Sequence, residues 1–280
     1  MKYLSVSFAA LAGASGLCLA GAAMAQPDDW SGVHVGVNGG WRGSSTHVDP
    51  STNSVNQLSG VNNGTGTVTV PSTTFTSSAA RMRSDSGTWG GQVGFDKQMG
   101  HWVLGFEGDL DANYGSRSTT SSYVLPGTAL TTGSQVAVTR YVKPSWEASA
   151  RGRIGWAMGP TLIYGTGGLA WEQTRNGALY TYSPTVTGAV AAANPGATFG
   201  PYASGGAANG ARTGWTVGGG AEWLVSRHVS VGAEYRHSDF GHHDDVFGSA
   251  GPDGVIGVTR TNVHDDAVTA RLNYRFGVGS

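Results

Sequence analysis

From residue 30 onward, apolar and polar side chains alternate one by one in eight separate stretches, the period that places successive side chains on opposite faces of a β-strand. Trp30 to Arg42 sets Val33, Val35, Val37 and Trp41 against His34, Asn38 and Arg42. Thr88 to Asp96 sets Trp89, Val93 and Phe95 against Gln92, Gly94 and Asp96. Trp102 to Tyr114 is the clearest, with Trp102, Leu104, Phe106, Leu110, Ala112 and Tyr114 opposite Glu107, Asp109, Asp111 and Asn113. Trp146 to Trp156 opposes Ala148, Ala150, Ile154 and Trp156 to Glu147, Ser149, Arg151 and Arg153. Leu162 to Trp171 is apolar or small on both faces, so its facing is open. Gly214 to Leu224, Val229 to His237 and Ala267 to Gly277 complete the set. In these, Glu222, then Glu234 and Arg236, then Arg271 and Arg275 lie on the polar face.

Each stretch is close to the ~9–11 residues that a tilted strand needs to cross a bilayer. The connections alternate in length. Those at 43–87, 115–145, 172–213 and 238–266 are long, and those near Gln98-Met99-Gly100, Met158-Gly159-Pro160 and Ser226-Arg227-His228 are short. Long outside loops and short periplasmic turns are the pattern of an outer-membrane barrel. The expected fold is therefore all-β: an eight-stranded antiparallel transmembrane β-barrel with both termini on the periplasmic side. The long connections, rich in Ser, Thr, Asn, Gly and Ala as at Ser51 to Ser78 and Thr185 to Gly210, read as solvated surface chain.

The start of the chain breaks this pattern. Lys2 precedes a long apolar run from Leu4 to Ala20 with a few serines, and Ala23-Met24-Ala25 has the small-x-small form of a signal-peptidase site. Residues 1–25 are read as a signal peptide and 26–280 as the barrel domain. Cys18 is the only cysteine and would leave with the signal, so neither a disulfide nor a thiolate metal site is expected.

Composition sharpens the class. Forty-six glycines in 280 residues, with few charges and nine tryptophans, exclude an ordinary helical protein. No stretch after residue 25 reaches the ~20 apolar residues of a helical span. A membrane crossing must then be made by a closed barrel, because closure pairs every backbone amide away from water. Trp30, Trp41, Trp102, Trp146, Trp156, Trp171, Trp223, Tyr114 and Tyr274 fall near strand ends, where aromatic girdles sit. A soluble barrel with these faces reversed would have to enclose more tryptophan than eight strands can hold. No basic tail or stripe points to nucleic acid.

With the apolar faces turned to lipid, the polar faces meet in the lumen. Six acids (Glu107, Asp109, Asp111, Glu147, Glu222 and Glu234) face six bases (Arg42, Arg151, Arg153, Arg236, Arg271 and Arg275), with Asp96 near the periplasmic rim. Eight strands leave an interior that side chains alone can fill. Charges buried there must pair and hydrogen-bond, and the arginine fork suits that. The balance reads as an interlocked salt-bridge plug, and the alternative reading of the same residues is a charge-lined path for ions or small solutes. At the rim, His242-His243-Asp244-Asp245 and His264-Asp265-Asp266 would meet across one hairpin, a donor set that suits zinc or another divalent ion and could respond to pH. The histidines lie on loops without an assignable nucleophile, so no catalytic residue and no cofactor is expected.

The strands also resemble a known family. Trp30-Ser31-Gly32-Val33-His34-Val35-Gly36-Val37-Asn38-Gly39-Gly40-Trp41 is similar to the first strand of the alphaproteobacterial outer-membrane immunogenic (porin-family, OmpA-like) small barrels. Gly90-Gly91-Gln92-Val93-Gly94-Phe95, Gly105-Phe106-Glu107-Gly108-Asp109, Tyr164-Gly165-Thr166-Gly167-Gly168-Leu169-Ala170 and Ala270-Arg271-Leu272-Asn273-Tyr274-Arg275-Phe276-Gly277 extend the resemblance across the framework. The resemblance implies a non-enzymatic surface antigen that stabilises the envelope, with weak pore activity at most. It also implies outer-membrane lipid, lipopolysaccharide and the barrel-assembly machinery as partners, and in some relatives haem or host contact. The long loops exceed the family's, so no loop function carries over, and Val278-Gly279-Ser280 follows where such barrels end on an aromatic residue.

Overall fold

Alternation becomes ladder pairing throughout the chain. The computed structural model describes residues 29–55, 61–62, 67–68, 73–125, 127, 131–196, 201–248 and 255–276, so the signal-peptide reading of 1–25 lies outside the described residues. The elements in order are β1 (Gly32–Val48), β2 (Ser51–Val55), β3 (Val61–Asn62), β4 (Thr67–Val68), β5 (Thr73–Ser77), β6 (Ala80–Met99), β7 (Trp102–Tyr114), β8 (Arg117–Val124), β9 (Gln135–Met158), β10 (Thr161–Ser183), α1 (Gly188–Ala193), β11 (Tyr202–Ser226), β12 (Val229–Gly248) and β13 (Val255–Phe276).

Eight of these strands form a ring in the order β1-β6-β7-β9-β10-β11-β12-β13, closed by antiparallel pairing of β13 with β1 from Val33↔Phe276 to Val48↔Thr261. Closure leaves no sheet edge at membrane depth, as a strand surrounded by lipid requires. At one end β6 joins β7 and β9 joins β10 through two-residue turns, with Gly100 and Gly159 at φ of +65° and +60°, a region that favours glycine. Glycine also lines the inner wall where strands crowd: a Cβ at Gly168 would strike the backbone carbonyl of Ala150.

The strands are much longer than a crossing needs. β9, β10 and β11 have 24, 23 and 25 residues, and they run through most of the sequence read above as solvated loop. That reading is corrected. The small polar residues there carry no lipid-facing apolar stripe, yet the backbone ladder continues through them, and their inward positions still alternate apolar, as at Val136, Val138, Tyr180 and Tyr182. Among the described residues the ladder lapses on two seams above the membrane. β11 pairs with β12 only as far as Trp215↔Asp239, and β6 pairs with β7 only as far as Gly87↔Tyr114. Beyond that level β8, β9, β10 and β11 form one sheet, while β12, β13, β1 and β6, with β2 and β5 alongside β13, form another. The sheets face each other through Val48 and Met82 against Val142, Ala170 against Phe240 and Val263, and Phe75 against Tyr123. The barrel thus rises into a two-sheet extension with its own apolar core.

Candidate functional site

The site begins with facing. On the outer surface between the aromatic bands, Val35, Val37, Val93, Leu104, Phe106, Leu110, Ile154, Leu169, Val217 and Leu272 are all exposed. A soluble protein would not display such a belt, whereas acyl chains require it. The open facing of the fifth stretch is resolved, with Ile163 and Leu169 outward and Leu162, Tyr164, Thr166 and Ala170 inward. Trp30 departs from its expected place in a girdle. It is wholly buried inside one barrel mouth, where the Arg275 guanidinium lies 4.9 Å from its ring and donates to its carbonyl.

The complementary face carries the charges, and all twelve candidate lumen residues are buried and brought together. Arg151 reaches across the barrel from β9, donating to Glu107 at 2.8 Å, Asp109 at 2.8 Å and Glu234 at 2.5 Å. Arg271 pairs with the second oxygens of Glu107 and Glu234. Arg236 holds Asp109 and Asp111, each at 2.6 Å. Nearer the mouth, Arg153 binds Glu222 at 2.7 Å and lies over the Tyr164 ring at 3.8 Å, and Arg275 binds Asp96 at 2.7 Å. Higher up, Arg42 binds Glu147 at 2.7 Å, Glu172 at 2.8 Å and Asp265. Arg42, Arg151 and Arg271 each bridge carboxylates on different strands, so the network fixes register around the ring as well as neutralising charge.

The sequence reading missed several members. His34 stands 3.3 Å from both Asp96 and Glu107. Glu172, Arg117, Arg140 and Arg212 lie on inward positions just above the expected strand ends, and the alternation of their neighbours would have revealed them had the strands been extended. With these, buried acids and buried arginines number nine each among the described residues. The cavity enclosed by Asn38, Gln92, Asp109, Asp111, Arg151, Glu234, Arg236, Thr269 and Arg271 measures about 10 Å³, room for about one water molecule. Apolar clusters close off both ends of the charged layer. Trp30, Val103, Ala157, Leu162 and Tyr164 pack below it, and the core of the two-sheet extension packs above.

The candidate metal rim does not assemble. Asp265 points inward to Arg42 and Ser44, and Asp244 pairs with Arg260 at 2.8 Å on the outer surface. That Arg260 hydrogen bond holds the Asp244 carboxyl below its ordinary range. A register shift between Asp239 and His242 carries His242 and His243 up the hairpin, away from His264, and the side chain of Asp245 lies outside the described residues. His264 faces Asp239 at 3.5 Å, while Asp266 accepts from Tyr235 at 2.6 Å and meets His237 at 2.9 Å. Among the described residues no group of three or more His, Cys, Asp or Glu is placed to hold a metal ion.

The comparisons complete the assignment. The model of the "outer membrane protein beta-barrel domain" family matches residues 9–276. The chain belongs to this family. It is 24% identical over 262 residues to a 31 kDa outer-membrane immunogenic protein of Brucella melitensis biotype 1, covering 88% of this chain and 84% of that one. It is 29% identical over 160 residues to a 22 kDa outer membrane protein of Rhizobium leguminosarum bv. viciae, covering 56% of this chain and 54% of that one, so it spans about half the length of that relative. The crystal structure of the outer membrane protein OprG from Pseudomonas aeruginosa is 11% identical, with 89% of this chain and 97% of that one covered and a TM-score of 0.39. This family member is an antiparallel barrel of the bacterial outer membrane.

Proposed function

We propose that the protein is a sealed, non-enzymatic structural barrel that contributes to envelope integrity and displays its two-sheet extension as a surface antigen. The observation that carries this reading is the stratified interior. The six acids and six arginines of the lumen sit between an apolar cluster at the mouth and the apolar core of the extension, and the cavity among them has room for about one water molecule. Ions crossing this layer would have to break several bridges that each tie two or three strands, in a medium where water is scarce and the pairs are strong. The Brucella relatives, named as immunogenic proteins, support the antigen role. In this account residues 1–25 direct export and are removed, the barrel-assembly machinery inserts the chain, and lipid and lipopolysaccharide surround the apolar belt.

The competing function is a passive channel for small solutes. Single-channel recording on the folded mature barrel in a planar bilayer separates the two. The sealed barrel is expected to give no steady conductance step, and reproducible steps that scale with salt would establish the channel instead.

A further inference from the structure

Between the two aromatic bands the outward face carries a single cationic side chain among the described residues, Lys97 on β6, and no carboxylate pairs with it. A cation turned to lipid is unfavourable, most of all at the midplane, so an unpaired one calls for an anion from the surroundings. Lys97 opens onto a groove of about 820 Å³ in the outer wall, within the size range of ligand sites.

The register explains the groove. Lys97, Leu104, Ile154, Gly165 and Gly219 lie opposite one another in one row across the sheet, and Phe95, Phe106, Gly152, Gly167 and Val217 lie in the next. The floor is therefore bare backbone at Gly152, Gly165 and Gly167, and the walls are Phe106, Ile154 and Val217. Phe106 is the most exposed large apolar side chain described, at 76%. These glycines are not demanded by the barrel itself. A Cβ at Gly152, Gly165 or Gly167 would find its nearest neighbour at 3.8–3.9 Å, ordinary contact. On the lumenal side, by contrast, a Cβ at Gly90 or Gly168 would collide with the carbonyls of Leu110 and Ala150. Glycine weakens a strand interior and marks places where something outside approaches the backbone. Here that approach comes from the membrane side.

We propose that the groove holds one acyl chain of an anionic phospholipid of the periplasmic leaflet, with the lipid phosphate on the Lys97 ammonium. Lys97 lies one row above the Trp102–Trp156 pair that marks the end of the apolar belt nearest the short turns. A phosphate at the interface is therefore within reach of its flexible stem, and the chain below the headgroup runs inward over the glycine floor.

Native mass spectrometry of the folded barrel, taken into mild detergent from vesicles of equal phosphatidylglycerol and phosphatidylcholine, tests this. One retained phosphatidylglycerol per chain is expected. Lys97→Gln should lower its excess over phosphatidylcholine about tenfold, the worth of one charge-assisted contact. Gly167→Leu, which fills the hollow, should remove the retained lipid while leaving heat-modifiable mobility intact. Absence of retained lipid in the parent barrel, equal retention in Gly167→Leu, or headgroup selectivity unchanged in Lys97→Gln would each overturn the proposal. A lipid-free dimer that Gly167→Leu disrupts would also overturn it, assigning the groove to a second copy. If Gly167→Leu does not fold, the Lys97→Gln selectivity decides.

Discussion

Arg151→Met is expected to destabilise the folded barrel by about 3–5 kcal/mol, the cost of leaving buried charge without its partner. Arg151 contacts Glu107, Asp109 and Glu234 together, and its removal turns these carboxylates toward one another in a space shut off from water. Arg271 and Arg236 remain to hold Glu107, Glu234 and Asp109, so the defect is local and the ring still closes. Combining Arg151→Met with Glu234→Gln should recover part of the loss, because the second change removes one of the stranded charges. The urea midpoint of the barrel in vesicles, read by the difference in gel mobility between heated and unheated samples, measures both variants. A loss under about 1 kcal/mol for Arg151→Met would mean that this arginine is hydrated, contrary to a closed interior.

Val93→Arg is the second large effect, about 2–4 kcal/mol, because it sets a guanidinium into acyl chains about midway along the outward row of β6, between Trp89 and Met99 opposite Trp102. The same change at Trp41, in the aromatic band at the outer end, should cost only about 0–1 kcal/mol, since the charge there reaches the headgroups. The depth dependence is the informative part. Equal costs at Val93 and Trp41 in the same unfolding measurement would contradict lipid contact along this face.

The framework was legible because lipid imposes a strict rule on side chains. Trp102 to Tyr114 could take only one facing, and its four polar partners, Glu107, Asp109, Asp111 and Asn113, had to be lumenal. Where lipid ends, the rule ends. Residues 172–183 and 202–213 lose the apolar outward stripe, so only a weaker inward alternation, as at Tyr180 and Tyr182, marks their strand character, although Glu172↔Glu147 and Tyr182↔Tyr202 are in ladder register. Arg117, Arg140 and Arg212 were passed over for the same reason, since the expected strands stopped where the outward stripe stops. Asp265 and Asp266 show the limit of reading a cluster without a register. As neighbours on one strand they point to opposite sides, one to Arg42 and the other to Tyr235. Trp30 was misplaced because it precedes β1 and folds into the mouth rather than continuing the strand's outward row.

The central claim is that the charged interior is closed to water as well as hidden from lipid. Ser149 is the most direct probe, since it is buried in the layer and donates to Asp109 at 2.5 Å. Ser149→Cys in vesicles should resist a water-soluble maleimide while the barrel is folded and react fully once urea unfolds it, whereas Ser145→Cys, on the exposed surface above Trp146, should react at once. Labelling of Ser149→Cys in the folded barrel at the rate of Ser145→Cys would show an open lumen and contradict the account.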